Sequence, residues 1–227
     1  LIALLQLLLA LGYAVLAHLA SLWQHDGCAL AALGLLIAML LVEPLLHRRL
    51  WAFAALPLAG WGAYALYDAG QAALPLLLVP VVFVLAIAWI FARTLRPGVE
   101  PLITRIVAGI EGGDPQDIAP DLRRYTRSLT AAWAAVLVVM AAANLGLALV
   151  ASPGGLLERL GIASPWPITP EQWSWFANLL NYGVIGGFFA LEFMVRKRRF
   201  PGRYHSFADF LRKLVGLGPV FWRDLLR

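Results

Sequence analysis

Six long apolar runs, nearly free of charge, constrain this chain more than any other feature. A helix rises about 1.5 Å per residue, so about 20 apolar residues cross a hydrocarbon core of about 30 Å. The first run spans Leu1 to Trp23 and holds no Asp, Glu, Lys or Arg; Gln24-His25-Asp26-Gly27 ends it. The second spans Cys28 to Leu46 and stops at His47-Arg48-Arg49. The third spans Leu50 to Tyr67 and stops at Asp68-Ala69-Gly70-Gln71. The fourth, Ala72 to Phe91, carries Pro75 and Pro80, which are expected to kink it. The fifth spans Leu129 to Ala151 and the sixth Trp173 to Val195. The expected fold class is therefore all-α: a polytopic membrane protein of about six transmembrane helices.

Composition supports lipid as the solvent. The chain is 61% hydrophobic and 14% charged, where soluble domains run at about 45–50% and about 25%. It opens on Leu1 rather than Met, so the natural start is expected upstream. The first run exceeds a signal-peptide core and is expected to stay as a span. The single cysteine, Cys28, excludes an internal disulfide and a thiolate zinc site.

Orientation follows from the basic residues. Arg48 and Arg49 lie between runs two and three. Arg93, Arg96, Arg105, Arg123, Arg124 and Arg127 lie between runs four and five, and nine more follow run six. With alternating spans, seventeen of the eighteen Lys and Arg fall on one side, and only Arg159 on the other. This is the positive-inside pattern of a multi-pass membrane protein with both termini cytoplasmic. Adding or removing one span would scatter the charges. Trp23, Trp51, Trp89, Trp133, Trp166, Trp173 and Trp175 fall near span ends, where amphipathic rings favour the interface.

The organisation is then a transmembrane domain, residues 1–195, and a basic cytoplasmic tail, residues 196–227. The cytoplasmic loop 94–128 should hold a short amphipathic helix: Pro101 suits its start, and Leu102, Ile103, Ile106, Val107 and Ile110 share one face, expected to lie on the membrane. The outer loop 152–172, rich in Pro and Gly, should form no more than a turn near Leu156–Leu160. In the tail, Ser206 and Asp209 resemble a capping box ahead of an apolar stripe (Phe207, Phe210, Leu211, Leu214, Val215) flanked by Arg212 and Lys213. Anionic lipid is the leading partner for that stripe, a cytoplasmic protein the alternative. A stop-transfer role explains the basic run Arg196–Arg199, so no nucleic-acid partner is expected.

Polar groups inside or at the ends of spans are the candidate functional residues. Glu43 precedes Pro44 near the end of run two. Glu192 stands four residues before Arg196, on one helix face, which favours an ion pair. Glu43 is expected to answer Arg48 or Arg49. His18, Asn144, Asn178, Asn181 and Tyr182 suit bonds between helices. Gly183 and Gly187 have GxxxG spacing, a packing face first and an oligomer signal second. No Walker A loop, GxSxG, HExxH or Rossmann glycine pattern occurs. His205 and Asp209 are one residue too close for a His-x4-Asp acyltransferase motif.

Several stretches carry a resemblance. They are Arg93-Thr94-Leu95; Glu100-Pro101-Leu102-Ile103-Thr104-Arg105; Arg124-Tyr125-Thr126-Arg127 with Thr130 and Trp133; and Asn178-Leu179-Leu180-Asn181-Tyr182. Glu192-Phe193, Arg198-Arg199-Phe200-Pro201 and His205-Ser206-Phe207-Ala208-Asp209-Phe210-Leu211 continue it. Over residues 93–213 the chain resembles an uncharacterised family of small bacterial inner-membrane proteins whose genes sit in aryl polyene (xanthomonadin-type) pigment clusters. Some members carry a ketosynthase label, which no residue here supports. The resemblance implies a role in making, anchoring or moving a lipid-linked polyene. It carries over no catalytic residues, and the sequence names no metal or cofactor.

The leading expectation is a non-enzymatic accessory protein, a scaffold or lipid handler, whose basic face meets membrane lipids and an acidic acyl carrier protein or pathway enzyme. The alternatives are a transporter or flippase, which needs Glu43, Asn144, Asn181, Tyr182 and Glu192 to converge, and a membrane-embedded transferase using Glu192, Tyr125 or His205. The polar candidates common to these readings are Glu43, Arg105, Arg124, Tyr125, Arg127, Asn178, Asn181, Tyr182, Glu192 and His205. An oligomer remains compatible with all of them.

Overall fold

The computed structural model describes residues 2–23, 25–164, 166–169, 172, 175, 183–200 and 207–226. Among them the chain is all-helical: α1 (Ile2–Trp23), α2 (Asp26–Leu46), α3 (Leu50–Asp68), α4 (Leu74–Arg93), α5 (Leu102–Glu111), α6 (Pro120–Val150), α7 (Leu156–Arg159), α8 (Ile185–Arg199), α9 (Phe207–Gly216) and α10 (Gly218–Leu226). The only extended pairing in this set is an isolated bridge between Ala151 and Ile168. Helices α2, α3, α4 and α6 are long and apolar enough to cross a membrane. The protein is an α-helical membrane protein. Its surface argues the same: Leu4, Leu8, Leu11, Leu40, Phe53, Leu58, Trp61 and Phe83 are all exposed on helices. Water would penalise so continuous an apolar surface.

The first five apolar runs recur as helices with ends shifted by a few residues. The second half of the sixth, from Ile185, forms α8, while most of its first ten residues lie outside the described set. Pro75 sits in the first turn of α4, where a missing N–H breaks no helical bond, so it imposes no kink. Pro80 is the interior proline of that helix. Directly after it the chain divides into two compact units, Leu1–Pro80 and Val81–Arg227.

In the first unit, α1, α2 and α3 pack through small residues. Ala29, Ala32, Ala52 and Ala63 are buried, and a Cβ on Gly12 would stand 2.9 Å from Leu35 Cδ1. Close approach of this kind replaces the hydrophobic effect as the packing force between helices in lipid. Ala20, Ala29 and Ala72 form a small core at one end. Glu43 is exposed on the last turn of α2. Its backbone oxygen accepts from His47, and among the described residues its carboxylate makes no ion pair with Arg48 or Arg49, contrary to expectation. His18 is likewise exposed on α1 rather than bonded between helices.

The second unit is organised by α6. Sequence reading separates a lead-in from a span beginning at Leu129; the structure runs them into one helix of 31 residues. No breaker intervenes after Pro120, and Leu122, Thr126, Leu129, Trp133, Leu137 and Met140 continue one buried stripe. At about 46 Å the helix exceeds a hydrocarbon core of about 30 Å, so its first turns project beyond the bilayer. Trp133, expected at the interface, is instead the centre of an aromatic cluster, with Phe188 edge-on at 4.7 Å and Phe91 at 6.1 Å.

Candidate functional site

The amphipathic helix of the 94–128 loop forms as α5, from Leu102 after Pro101 to a left-handed Gly112 at φ 71°. Its apolar face does not lie on the bilayer. Leu102, Ile103, Thr104, Val107 and Ala108 are buried, and Ile103, Val107 and Ala108 pack with Leu122, Leu129 and Trp133 of α6. The buried face is turned from the expected one, with Thr104 and Ala108 inside and Ile106 and Ile110 half-buried.

Threonines explain that turn. The first N–H groups of a helix lack internal acceptors, and Pro101 offers no capping side chain. Neighbouring helices supply the caps instead. Leu102 N–H donates to Thr94 Oγ1 at 2.9 Å, just beyond the end of α4, and Ile103 N–H donates to Thr130 Oγ1 of α6 at 3.3 Å. Thr94 donates onward to Phe91 O at 2.8 Å and Thr130 to Thr126 O at 2.8 Å. Thr104 and Thr126 share a bond of 2.7 Å, and Thr126 donates to Arg123 O at 3.1 Å. A hydroxyl has one proton, so Thr104 is the donor to Thr126. All four threonines are buried and satisfied.

Outside this seam lies a charged layer. Glu192 and Arg196 of α8 form a bidentate pair at 2.6 and 2.7 Å, each residue about 5% exposed. The expected ion pair is present, and it is buried. Tyr125 of α6 donates its hydroxyl to Glu192 Oε1 at 3.2 Å. The Arg199 guanidinium lies 5.6 Å over the Tyr125 ring, and Phe200 meets that ring edge-on at 5.4 Å. Arg123 pairs with Glu100, and Arg127 donates to Leu95 O at 2.7 Å. Arg96 lies 5.1 Å over Trp89. Arg123, Arg124 and Arg127 are exposed.

These bonds bring together the end of α4, the start of α6 and the end of α8, three basic ends from separate stretches of sequence. The end of a helix favours cations, but its start favours acids. The arginines opening α6 therefore owe nothing to helix stability.

The tail joins this end of the unit. Arg105, named from the sequence as a surface candidate, reaches the last turn of α10, donating to Asp224 O at 3.1 Å and Leu225 O at 3.4 Å. It thus caps carbonyls that the helix leaves without partners. Leu225 is buried, and Leu217 and Phe221 close over Gly109 of α5. Part of the tail's apolar surface is therefore covered by protein rather than lipid, while Val215 and Val220 stay exposed beside Arg212 and Lys213.

No family model matches the chain, nor does any curated protein or solved structure.

Of the sequence candidates, Tyr125, Glu192, Arg124, Arg127 and Arg105 lie in this basic end, with Tyr125 bonded directly to Glu192. Glu43 belongs to the other unit. Asn178, Asn181, Tyr182 and His205 lie outside the described residues. Asn144 is buried and donates to Met140 O on its own helix at 2.9 Å. Gly186 and Gly187 have open space where a Cβ would stand, so the glycine face is not packed against described residues. The four threonines and Glu100 stand in the stretches that carry the resemblance, yet none of them was singled out as a site residue. The i,i+4 spacing of Thr126 and Thr130 was a local signal that two of them share a helix face. Among the described residues no group of His, Cys, Asp and Glu could hold a metal.

Proposed function

We propose that this protein is a six-span accessory protein of the bacterial inner membrane, with both termini cytoplasmic, serving as a scaffold or lipid handler in assembly of a lipid-linked aryl polyene. The observation that carries the scaffold reading is the convergence of three basic helix ends around Tyr125, Glu192 and Arg196. Alternating spans four, five and six put those ends on one side, and their shared location supports that alternation. The buried pair and the threonine seam hold the surface rigid, so Arg123, Arg124, Arg127, Lys197 and Arg198 face outward at fixed positions. A fixed field of one sign favours encounter with an acidic partner, such as an acyl carrier protein. The pathway itself rests on the resemblance over residues 93–213.

Mass spectrometry of lipid extracts from the source bacterium, with and without this gene, tests the pathway. Loss of an aryl polyene lipid, or build-up of its precursor, is the expected result. An unchanged lipid profile discards the pigment reading.

A further inference from the structure

Arg123 and Arg127 do more than add charge to a face. With Gly98, Val99, Glu100 and Pro101 they enclose a hollow of about 200 Å³. We propose that this hollow binds a phosphate group, supplied in the membrane by the headgroup of an anionic phospholipid. The inference rests on the membrane orientation given above and not on the polyene pathway.

Size comes first. Pockets for whole small molecules run at about 300–1,000 Å³, so this one suits a headgroup-sized group and excludes an acyl or polyene chain. Charge comes second. Two guanidinium groups and one carboxylate line the hollow, one net positive charge, and the carboxylate is engaged, because Glu100 Oε1 holds Arg123. Glu100 therefore orients a cation and leaves the opening electropositive.

Preorganisation comes third. Arg127 is anchored by one bond to Leu95 O at 2.7 Å, and Arg123 by its bond to Glu100. A guanidinium has five N–H donors in a rigid plane, so each anchored side chain keeps donors for an incoming oxyanion. Paired planar donors are the usual recognition element for phosphate. Gly98, at φ 78°, lets the chain turn tightly along the rim.

Position comes fourth. The hollow is lined from a few residues beyond α4, whose last turns carry exposed Trp89 with Arg96 lying over its ring. A tryptophan there marks the headgroup level. Val99, 43% exposed at the rim, offers the apolar contact that a glycerol backbone would meet.

Native mass spectrometry of the full chain in mild detergent, with phosphatidylglycerol or uncharged diacylglycerol added, tests this. Wild type should retain the phospholipid and not diacylglycerol. Arg127→Gln should weaken retention by roughly tenfold or more. Arg124→Gln, which removes an exposed cation outside the hollow, should change it less than about twofold, within the range of a screened surface charge. Val99→Trp fills the hollow without altering any charge and should also release the lipid; it serves if Arg127→Gln fails to insert. If soluble glycerol phosphate binds the wild type and the lipid does not, the phosphate site stands with a soluble source. Equal losses from Arg124→Gln and Arg127→Gln, retention by Val99→Trp, or no phosphate binding by the wild type overturns the proposal. Failure of the lipid-extract experiment would remove the pathway and leave this site untouched.

Discussion

Glu192 and Arg196 show what a buried charge demands. Each is nearly out of solvent, and their bidentate bond offsets the cost of desolvation. Glu192→Gln leaves Arg196 charged in a buried place, at a cost of about 3–5 kcal/mol. Glu192→Leu combined with Arg196→Met should recover most of that loss, because a well-packed apolar pair needs no desolvation. Thermal unfolding in detergent followed by size-exclusion fluorescence measures both; a double variant as unstable as the single one contradicts the account. The threonine seam makes a similar argument at lower stakes. Thr126→Val strands the Thr104 hydroxyl proton and should cost about 1–3 kcal/mol, whereas Thr104→Val removes only a donor to an already bonded oxygen and should cost less. Equal losses in the same assay would reverse the donor assignment. The Glu192–Arg196 pair was legible because four residues separate its members on one helix. The Tyr125 bond to Glu192 spans 67 positions, and nothing local in a sequence encodes such a distance. The threonines were illegible for another reason: a buried threonine and a surface threonine look alike until the neighbouring helix is known.

At the scale of elements, the apolar runs fixed helix positions because a break in lipid leaves backbone groups without partners. Boundaries shifted where polar helix continued past the bilayer, as α6 does from Pro120 to Leu129. The amphipathic helix α5 was legible, but its covering was not. A sequence shows an apolar face without showing whether lipid or another helix meets it. Here α6 covers one side and α9 and α10 reach another, at Gly109. A Cβ on Gly109 would stand 2.7 Å from Phe221 and 3.1 Å from Leu217. Both are side-chain ends, so Gly109→Ala should be absorbed by small shifts, while Gly109→Leu should lever the tail away from α5. Limited trypsin digestion followed by mass spectrometry should then show faster cleavage at Arg212 and Lys213 in Gly109→Leu than in wild type or Gly109→Ala. Identical cleavage in all three would mean that the tail does not depend on this contact.

Across the whole molecule, the proposed recruiting role rests on the asymmetry of charge. Replacing Arg123, Arg124 and Arg127 together by Gln should leave insertion intact, since Arg48, Arg49 and the basic run after α8 still mark the inner side. It should weaken capture of an acyl carrier protein by roughly tenfold at low salt, with a smaller effect at high salt. Pull-down from membranes of stated protein content measures this, and undiminished capture removes the recruiting role. The charge pattern is what the proposed orientation rests on. The chemistry of the partner was not legible, because a basic face specifies sign and not identity.

Cysteine accessibility tests the central claim, a six-span protein with its basic ends together on the inner side. In a Cys28→Ser background, single cysteines replace His47, Asp68, Gln116, Ile162 and Ala208, all exposed. A membrane-impermeant maleimide is applied to spheroplasts, then to opened membranes. Six spans in this orientation give labelling from outside at positions 68 and 162, and only after opening at positions 47, 116 and 208. Labelling of position 116 or 208 from outside, or of 68 and 162 only after opening, would contradict it.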